Sequence, residues 1–465
     1  MRSLCLLSFV IAMSACSLTP SMVMPPLPVP AAFPDATDGG NSPAAAMLDW
    51  QTVFIDPRLR QAIGLALSNN RDLRLAMLDV EIARSQYGIA RAAKLPAIDA
   101  TVGSVRQRGG DTGMATPGTT GQHTANIAMQ AFEIDLFGRV HALSEAAFAR
   151  YLATEAGYSA ARLALIAAVA DAYLADRFSD AQLALAERTL EDWRQSLSLA
   201  LSRHAAGQSG GLDVAQAQSQ LAGAQADVEA RQRERAHARY ALMLLVGAEL
   251  PLDAARSQID SDPLLMDWPT GLPADLLARR PDILQAERRL VAANADIGAA
   301  RAAFFPRLSL TASHGYASTA MESLFKGGRR AWSFAPQAVL PIFHHGRLRA
   351  ELRVAELRKS SEVAEYEKAI QTAFREVADG LAGRRTYQRQ RAAQQAVVAS
   401  AEQRAALSDM RYRAGVEGRL ELLDAQRQLY AARQAMLELR RAEYANTIAL
   451  YKAIGGGVPA ADRGP

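Results

Sequence analysis

Apolar residues recur at spacings of three and four through Leu422, Ala425, Leu429, Ala432, Met436 and Leu439, and again through Val214, Ala217, Leu221, Ala224 and Val228. A stripe of this kind, with small residues at alternate positions, predicts helices coiled closely on a partner. A period of two governs other stretches. Leu308, Leu310 and Ala312 alternate with Ser309, Thr311 and Ser313, and Ile98, Ala100 and Val102 with Asp99, Thr101 and Gly103. Trp332, Phe334, Ala338 and Leu340 fall on one side of a further strand, while Thr124 to Asp135 alternates less regularly. Alternation predicts strands, at about 96–107, 123–136, 307–317 and 331–341. Each is about ten residues, near the length a tilted strand needs to cross a bilayer. Polar glycine-rich segments, Gly109 to Gly121 and Ser318 to Arg330, join them in pairs.

Between the strands lie two proline-free tracts, Gly118 to Leu250 and Ile342 to Val458, rich in alanine, glutamine, arginine and glutamate. This is the composition of long helices. Gly207, Gly210 and Gly211 interrupt the first tract, and Gly415 and Gly418 the second, so each predicts a helical hairpin. An arm from Arg139 to His204 would extend roughly 100 Å at about 1.5 Å per residue. The two halves are copies. Arg139 and Arg347, Gly207 and Gly415, Gln218 and Gln426, and Gly247 and Gly455 are each 208 positions apart. A repeat of this size is the unit of architecture. It divides the chain into a first repeat at 49–250 (hairpin 138–247), a linker and helix at 251–305, a second repeat at 306–457 (hairpin 346–454) and a tail at 458–465.

Four strands cannot close a barrel, since bacterial barrels begin at about eight. Strands that span a membrane therefore require several chains per barrel; the same strands could also belong to a soluble domain. No later segment approaches eighteen uncharged apolar residues, so helical spans are not expected and any crossing would be by β-barrel.

The N-terminus changes the picture. Arg2, the apolar stretch Leu4 to Met13, and Met13-Ser14-Ala15-Cys16 read as an export signal over residues 1–15. The last four residues resemble a lipobox, which implies a lipid on Cys16; the alternative is a plain signal with an incidental cysteine. Residues 16–48, with Pro25, Pro26, Pro28 and Pro30, read as an extended tether. The two cysteines are Cys5, which would leave with the signal, and Cys16, so no disulfide is expected. A net charge of +4 over 465 residues, without a basic and aromatic cluster, argues against nucleic acid as a partner.

Taken in order, Phe132 to Arg139, Leu272 to Asp282, Ala292 to Gly298 with Phe305-Pro306, and Tyr412 to Gln426 resemble the outer membrane factor family of TolC/OprM/NodT-like channels, in its drug-efflux lipoprotein branch. The resemblance implies a mainly α fold with a membrane β-barrel. Three chains would each give four strands to a twelve-stranded barrel, continued by a helical coiled-coil tunnel. Residues 49–95, 250–305 and the C-terminal end would form a belt. It implies a homotrimer in contact with outer membrane lipids, a periplasmic adaptor (membrane fusion protein) and an inner membrane RND transporter, with no cofactor besides the lipid on Cys16. The function implied is passive efflux of small toxic compounds; protein secretion through the same channel, or a pore-less coiled-coil scaffold, are alternatives.

Within that frame, Arg203, Gly207, Leu212 and Asp213 in the first tip and Arg411, Gly415 and Leu420 in the second are candidate adaptor contacts. Glycines there also serve simply as turns. Glu421 and Asp424, one turn apart, are the candidate periplasmic constriction, held by Arg411, Arg413 or Arg419; acids at a helix start also favour its dipole. His344-His345 could suggest a metal, but adjacent histidines of a strand point apart and no partner has ligand spacing, so the pair reads as a solvated junction between barrel and helix. No nucleophile elbow or phosphate-binding loop occurs, and no enzymatic activity is expected.

Overall fold

The computed structural model describes residues 17–30, 33, 49–108, 119–249, 262–266 and 280–456. Cys16, the export signal, most of the tether and most of the inter-repeat linker lie outside them. In chain order the elements are α1 (Trp50–Val53), α2 (Pro57–Asn69), α3 (Arg71–Ala92), β1 (Asp99–Arg108), β2 (Thr119–Ile134), α4 (Arg139–Ala205), α5 (Gly211–Val246), α6 (Pro281–Ala302), β3 (Arg307–Ser318), β4 (Arg330–Val339), α7 (Arg347–Arg413) and α8 (Arg419–Ala453). The chain divides into two units. One holds residues 1–26, 78–155 and 285–367, the other 27–77, 156–284 and 368–465.

The first unit contains a four-stranded antiparallel sheet in the order β1-β2-β3-β4. Its register sorts side chains by polarity, because directly paired residues share a face. Val102 opposes Ala125, Ile127 opposes His314, Ala312 opposes Phe334 and Leu308 opposes Ala338. The other face carries Thr101, Asn126, Ser309, Thr311, Ser313, Ser333 and Gln337. The apolar face is solvent-exposed in the chain: Val102 is 77% exposed, Trp332 76% and Phe334 62%. An inverted sheet, with exposed apolar groups on one side and polar groups on the other, is the pattern of a membrane barrel.

The irregular alternation of β2 has a local cause. The register shifts between Met129 and Phe132, and Ala131 takes a left-handed φ of 48°. This bulge moves the apolar set from odd to even positions, so Phe132 and Ile134 stay on the face of Ile127 and Met129. Thr311 Oγ1 accepts the Ala131 amide at 3.1 Å.

Residues 17–26 are extended but not a free tether. Asn294 Nδ2 donates to the Pro20 carbonyl at 2.8 Å, and Lys359 Nζ donates to Asn294 Oδ1 at 2.8 Å. A Cβ on Gly298 would stand 2.1 Å from Thr19 Oγ1, so α6 admits this strand only because residue 298 is glycine. Glu133 and Arg139 form a bidentate pair (2.8 and 2.5 Å) at the strand-to-helix junction. His344 and His345 lie beyond β4, exposed in the turn before α7, with His345 at φ 48°; this is the solvated junction between strand and helix that the sequence favoured.

In the second unit the coiled seam is buried or half-buried at every named position. Leu183, Ala186 and Leu190 of α4 form a core with Val228, and Leu221 and Ala224 pack against it. The buried Arg280 guanidinium donates to the Ala453 carbonyl (2.8 Å), Asp282 (2.7 Å) and Glu376 (2.7 Å), tying the start of α6 to the end of α8 and to α7. Gly380 and Gly383 leave room for Leu450 and Asn446, against which any Cβ would stand under 3 Å. α4 contains an 18-residue stretch of mean hydropathy 1.3, apolar enough to cross a membrane by length and composition, although charges such as Arg162 and Asp171 leave no uncharged run of that length in the helix. Leu163, Ile166, Val169, Ala170 and Leu174 within this helix are buried against the protein itself. The apolarity is that of a helix packed on several sides.

Candidate channel mouth and pore face

The repeat is visible in the backbone. Gly138 and Gly346 open α4 and α7 at φ 74° and 84°, Gly207 and Gly415 turn the hairpins at 69° and 74°, and Gly247 and Gly455 follow the second arms at 68° and 93°. All three pairs are 208 positions apart because each position needs a left-handed backbone that a Cβ disfavours. The tips use one hydrogen-bond scheme. Gly207 N–H donates to the His204 carbonyl (2.9 Å) and Gln208 N–H to Arg203 (2.8 Å); Gly415 N–H donates to Tyr412 (3.1 Å) and Val416 N–H to Arg411 (2.9 Å).

The structure also brings the tips together. The Arg203 guanidinium lies 4.3 Å from the Tyr412 ring centroid, a cation–π contact between repeats. Arg419, buried at the start of α8, reaches Ser196 of α4 with Nη2 3.1 Å from its Oγ. Gly207, Leu212, Gly415 and Leu420 stay exposed at the tips, whereas Arg203 and Asp213 are half-buried and Arg411 pairs with Glu417 at 3.4 Å.

Glu421 and Asp424 separate in role. Asp424 is half-buried and saturated: Arg427 holds Oδ1 at 2.8 Å, while Arg404 (3.0 Å) and Gln428 (2.8 Å) hold Oδ2. Glu421 is exposed, and among the described residues no cation pairs with it. The arginines expected to hold these acids are engaged elsewhere: Arg411 with Glu417, Arg413 with Asp409 (2.9 Å) and Arg419 with Ser196. Arg404 lies on the facing arm of the hairpin, twenty residues earlier, a partnership that depends on how α7 and α8 align. A second link escaped the sequence reading. The Tyr430 hydroxyl donates to Asp227 across repeats, Gln434 Nε2 donates to that hydroxyl at 2.8 Å, and burial with the Asp227 bond pushes Tyr430 up to about 12. Its only sequence signal is that Asp227 and Tyr430 flank the seam residues Val228 and Leu429.

Burial also raises several carboxyls. Asp176 is raised by desolvation and then by Asp180, against the lowering pull of Arg239 and Arg235. Glu443 is raised by desolvation despite Arg391 at 3.2 Å. Asp192 is raised by desolvation, with Arg433 opposing. No group of three His, Cys, Asp or Glu suited to a metal occurs among the described residues.

A family model described as "Outer membrane efflux protein" matches residues 62–248 and 272–456, one stretch for each repeat. The chain belongs to the outer membrane efflux protein family. It is 42% identical over 464 residues to the probable efflux pump outer membrane protein TtgC of Pseudomonas putida, covering 98% of this chain and 95% of that protein. It is 42% identical over 455 residues to outer membrane protein OprJ of Pseudomonas aeruginosa, covering 96% and 94%. Among solved structures, the open state of the Neisseria gonorrhoeae MtrE outer membrane channel matches with a TM-score of 0.86 at 36% identity, covering 95% of this chain and 98% of that one. The protein is thus an outer membrane efflux channel. Its fold is that of a trimeric channel, in which three four-stranded sheets make one barrel continued by coiled helices. The polar face of each sheet lines the pore and the apolar face meets lipid.

Proposed function

We propose that this channel is the outer component of a tripartite pump, and that the Arg203 to Asp213 and Arg411 to Leu420 tips receive a periplasmic adaptor that links it to an inner membrane RND transporter. The observation that carries the reading is the pair of equivalent, exposed glycine tips, together with relatives named as efflux pump outer membrane proteins. Conduction is passive. The energy comes from the transporter, and the cargo is small toxic compounds. Glu421 forms the charged ring of the mouth, and Asp424 clamps the hairpin behind it. The first repeat is residues 49–250, the linker and equatorial helix 251–305 and the second repeat 306–457.

We further propose that Cys16 carries a lipid after removal of residues 1–15. Supporting this, Ser17 lines a cavity of about 450 Å³ with Lys94, Ile134, Leu136, Val140 and His141 at the end of β2, where the membrane-crossing part of the sheet stops. Cys16→Ser should abolish incorporation of labelled palmitate; labelling of that variant would remove the assignment.

Docking is tested by Gln208→Cys in a chain whose Cys16 is acylated, which leaves one thiol free for cross-linking in intact cells. Capture of the adaptor of an RND pump is expected. Capture of an adaptor from a protein-secretion exporter would change the cargo, and an assembled trimer that captures nothing would overturn the tip assignment.

A further inference from the structure

The pore and the tips leave unexplained a group of cations at the opposite end of the sheet. Arg106 and Arg108 close β1, Arg330 opens β4, and Lys326 and Arg329 precede it; all five are exposed and none has an ion-pair partner among the described residues. The flanking stretches 104–120 and 318–332 contain only Asp111 and Glu322 as acids. These strand ends lie away from the starts of α4 and α7, which begin where β2 and β4 finish, so with the helical tips in the periplasm, as proposed above, they face the cell exterior.

The register decides which way the arginines point. Arg106 opposes Gly121, Arg108 opposes Thr119, and Arg330 opposes Tyr316. Those positions belong to the face of Val102, Ile127, Phe334 and Trp332, the face that meets lipid. The three arginines therefore stand at the outer rim of the lipid-facing surface, directly above its apolar band, and do not line the pore. A cation at that depth can extend its stem over apolar surface and place its head among lipid head groups.

β1 and β4 are the two edges of the sheet, and an unpaired edge cannot remain in hydrocarbon. In the trimeric barrel β4 of one protomer must pair with β1 of its neighbour, with strand axes about 4.8 Å apart. Arg330 and Arg329 of one protomer then share a seam with Arg106 and Arg108 of the next. Neither protomer completes the group alone.

We propose that each subunit seam holds a phosphorylated glycolipid of the outer leaflet, with the guanidinium groups of two protomers binding its phosphates and Trp332 and Val102 packing against its acyl chains. Guanidinium suits this role because its planar fork can bind phosphate bidentately. The apolar band beneath the arginines favours a phosphate that carries acyl chains over a free anion.

The test uses the full-length trimer in detergent, with bound lipid counted by native mass spectrometry. Diphosphoryl lipid A is expected to bind at up to three copies, one per seam. Arg106→Gln with Arg108→Gln should weaken binding by roughly tenfold, and Arg329→Gln with Arg330→Gln should do the same, since each pair supplies half of the charge-assisted contacts. Loss from only one pair would overturn a shared site, and loss from neither would overturn the site altogether. A measurement free of mutation uses dephosphorylated lipid A on the unaltered trimer: a similar drop supports the proposal, and equal binding sinks it. Displacement by inorganic pyrophosphate as effective as by lipid A would show a free-anion site and overturn the lipid assignment.

Discussion

Asp424 and Glu421 sit one helical turn apart and carry the same charge, yet their surroundings give them different work. Asp424 spends its oxygens on Arg404, Arg427 and Gln428, so its alanine variant releases two guanidinium groups beside the second tip. Glu421 has no such partner among the described residues and stays exposed, so in the proposed mouth its charge is free to face the pore. In planar bilayers Glu421→Gln is therefore expected to lower cation preference with little change in conductance, because carboxylate rings favour cations. Asp424→Ala should raise conductance by loosening the hairpin; unchanged values in both would remove the mouth assignment. The glycines offer a second contrast. A Cβ at Gly415 meets nothing within 4 Å, so Gly415→Ala carries only the left-handed backbone cost, about 1 kcal/mol. At Gly247 the same Cβ would stand 2.7 Å from the Asn69 carbonyl oxygen, so Gly247→Ala adds a clash with backbone. Thermal unfolding of the purified trimer should rank Gly247→Ala well below Gly415→Ala.

Burial of Asp176 has a pH signature. Its carboxyl is raised above the ordinary aspartate value, so the folded chain holds this proton more tightly than the unfolded chain. Stability is then greatest at low pH and falls as pH rises from the unfolded value through the raised one. Asp192 and Glu443 act in the same direction. The melting temperature of the parent should rise as pH is lowered from neutral toward the raised values, and Asp176→Asn should melt higher than the parent at neutral pH with a flatter profile. A parent whose stability falls over that interval would contradict the assignment.

At the scale of elements, the helices and strands were readable because each obeys a local period. The three–four spacing from Leu422 to Leu439 marks a seam whose residues are buried or half-buried, and the two-residue alternation of β3 marks its two faces. β2 obscured its own pattern, since its bulge at Ala131 changes the parity of the apolar positions midway. The signal was present as apolar spacings of two, three and two through Ile127, Met129, Phe132 and Ile134, but it means a bulge only once a neighbouring strand supplies the register. Leu190 tests the seam: with the side chain buried in the α4 core, Leu190→Ala should destabilise by about 2–4 kcal/mol. Thermal or denaturant unfolding would measure the loss.

At the scale of the whole molecule, the sheet makes sense only as part of a barrel, because its apolar face is left uncovered by the chain, with Val102, Trp332 and Phe334 exposed. Phe334→Arg would place a charge in lipid and is expected to cost about 2–4 kcal/mol near mid-membrane, reducing the trimer recovered in outer membrane fractions. Ser333→Arg, one residue away on the pore face, should assemble normally and shift ion selectivity. Equal recovery of both variants would reverse the assignment of faces.

The sequence by itself determined the repeat, the hairpins and the strands, because periodicity and backbone preference belong to short stretches of chain. Gly138, Gly207 and Gly247 recur 208 residues later since the same left-handed turns recur. Tertiary structure alone decided what meets across distance: Arg404 at Asp424, Arg203 over Tyr412, Tyr430 on Asp227, and Thr19 against Gly298. Those pairings depend on the relative shift and rotation of whole helices, which the packing of many side chains fixes together. No short-range pattern encodes them.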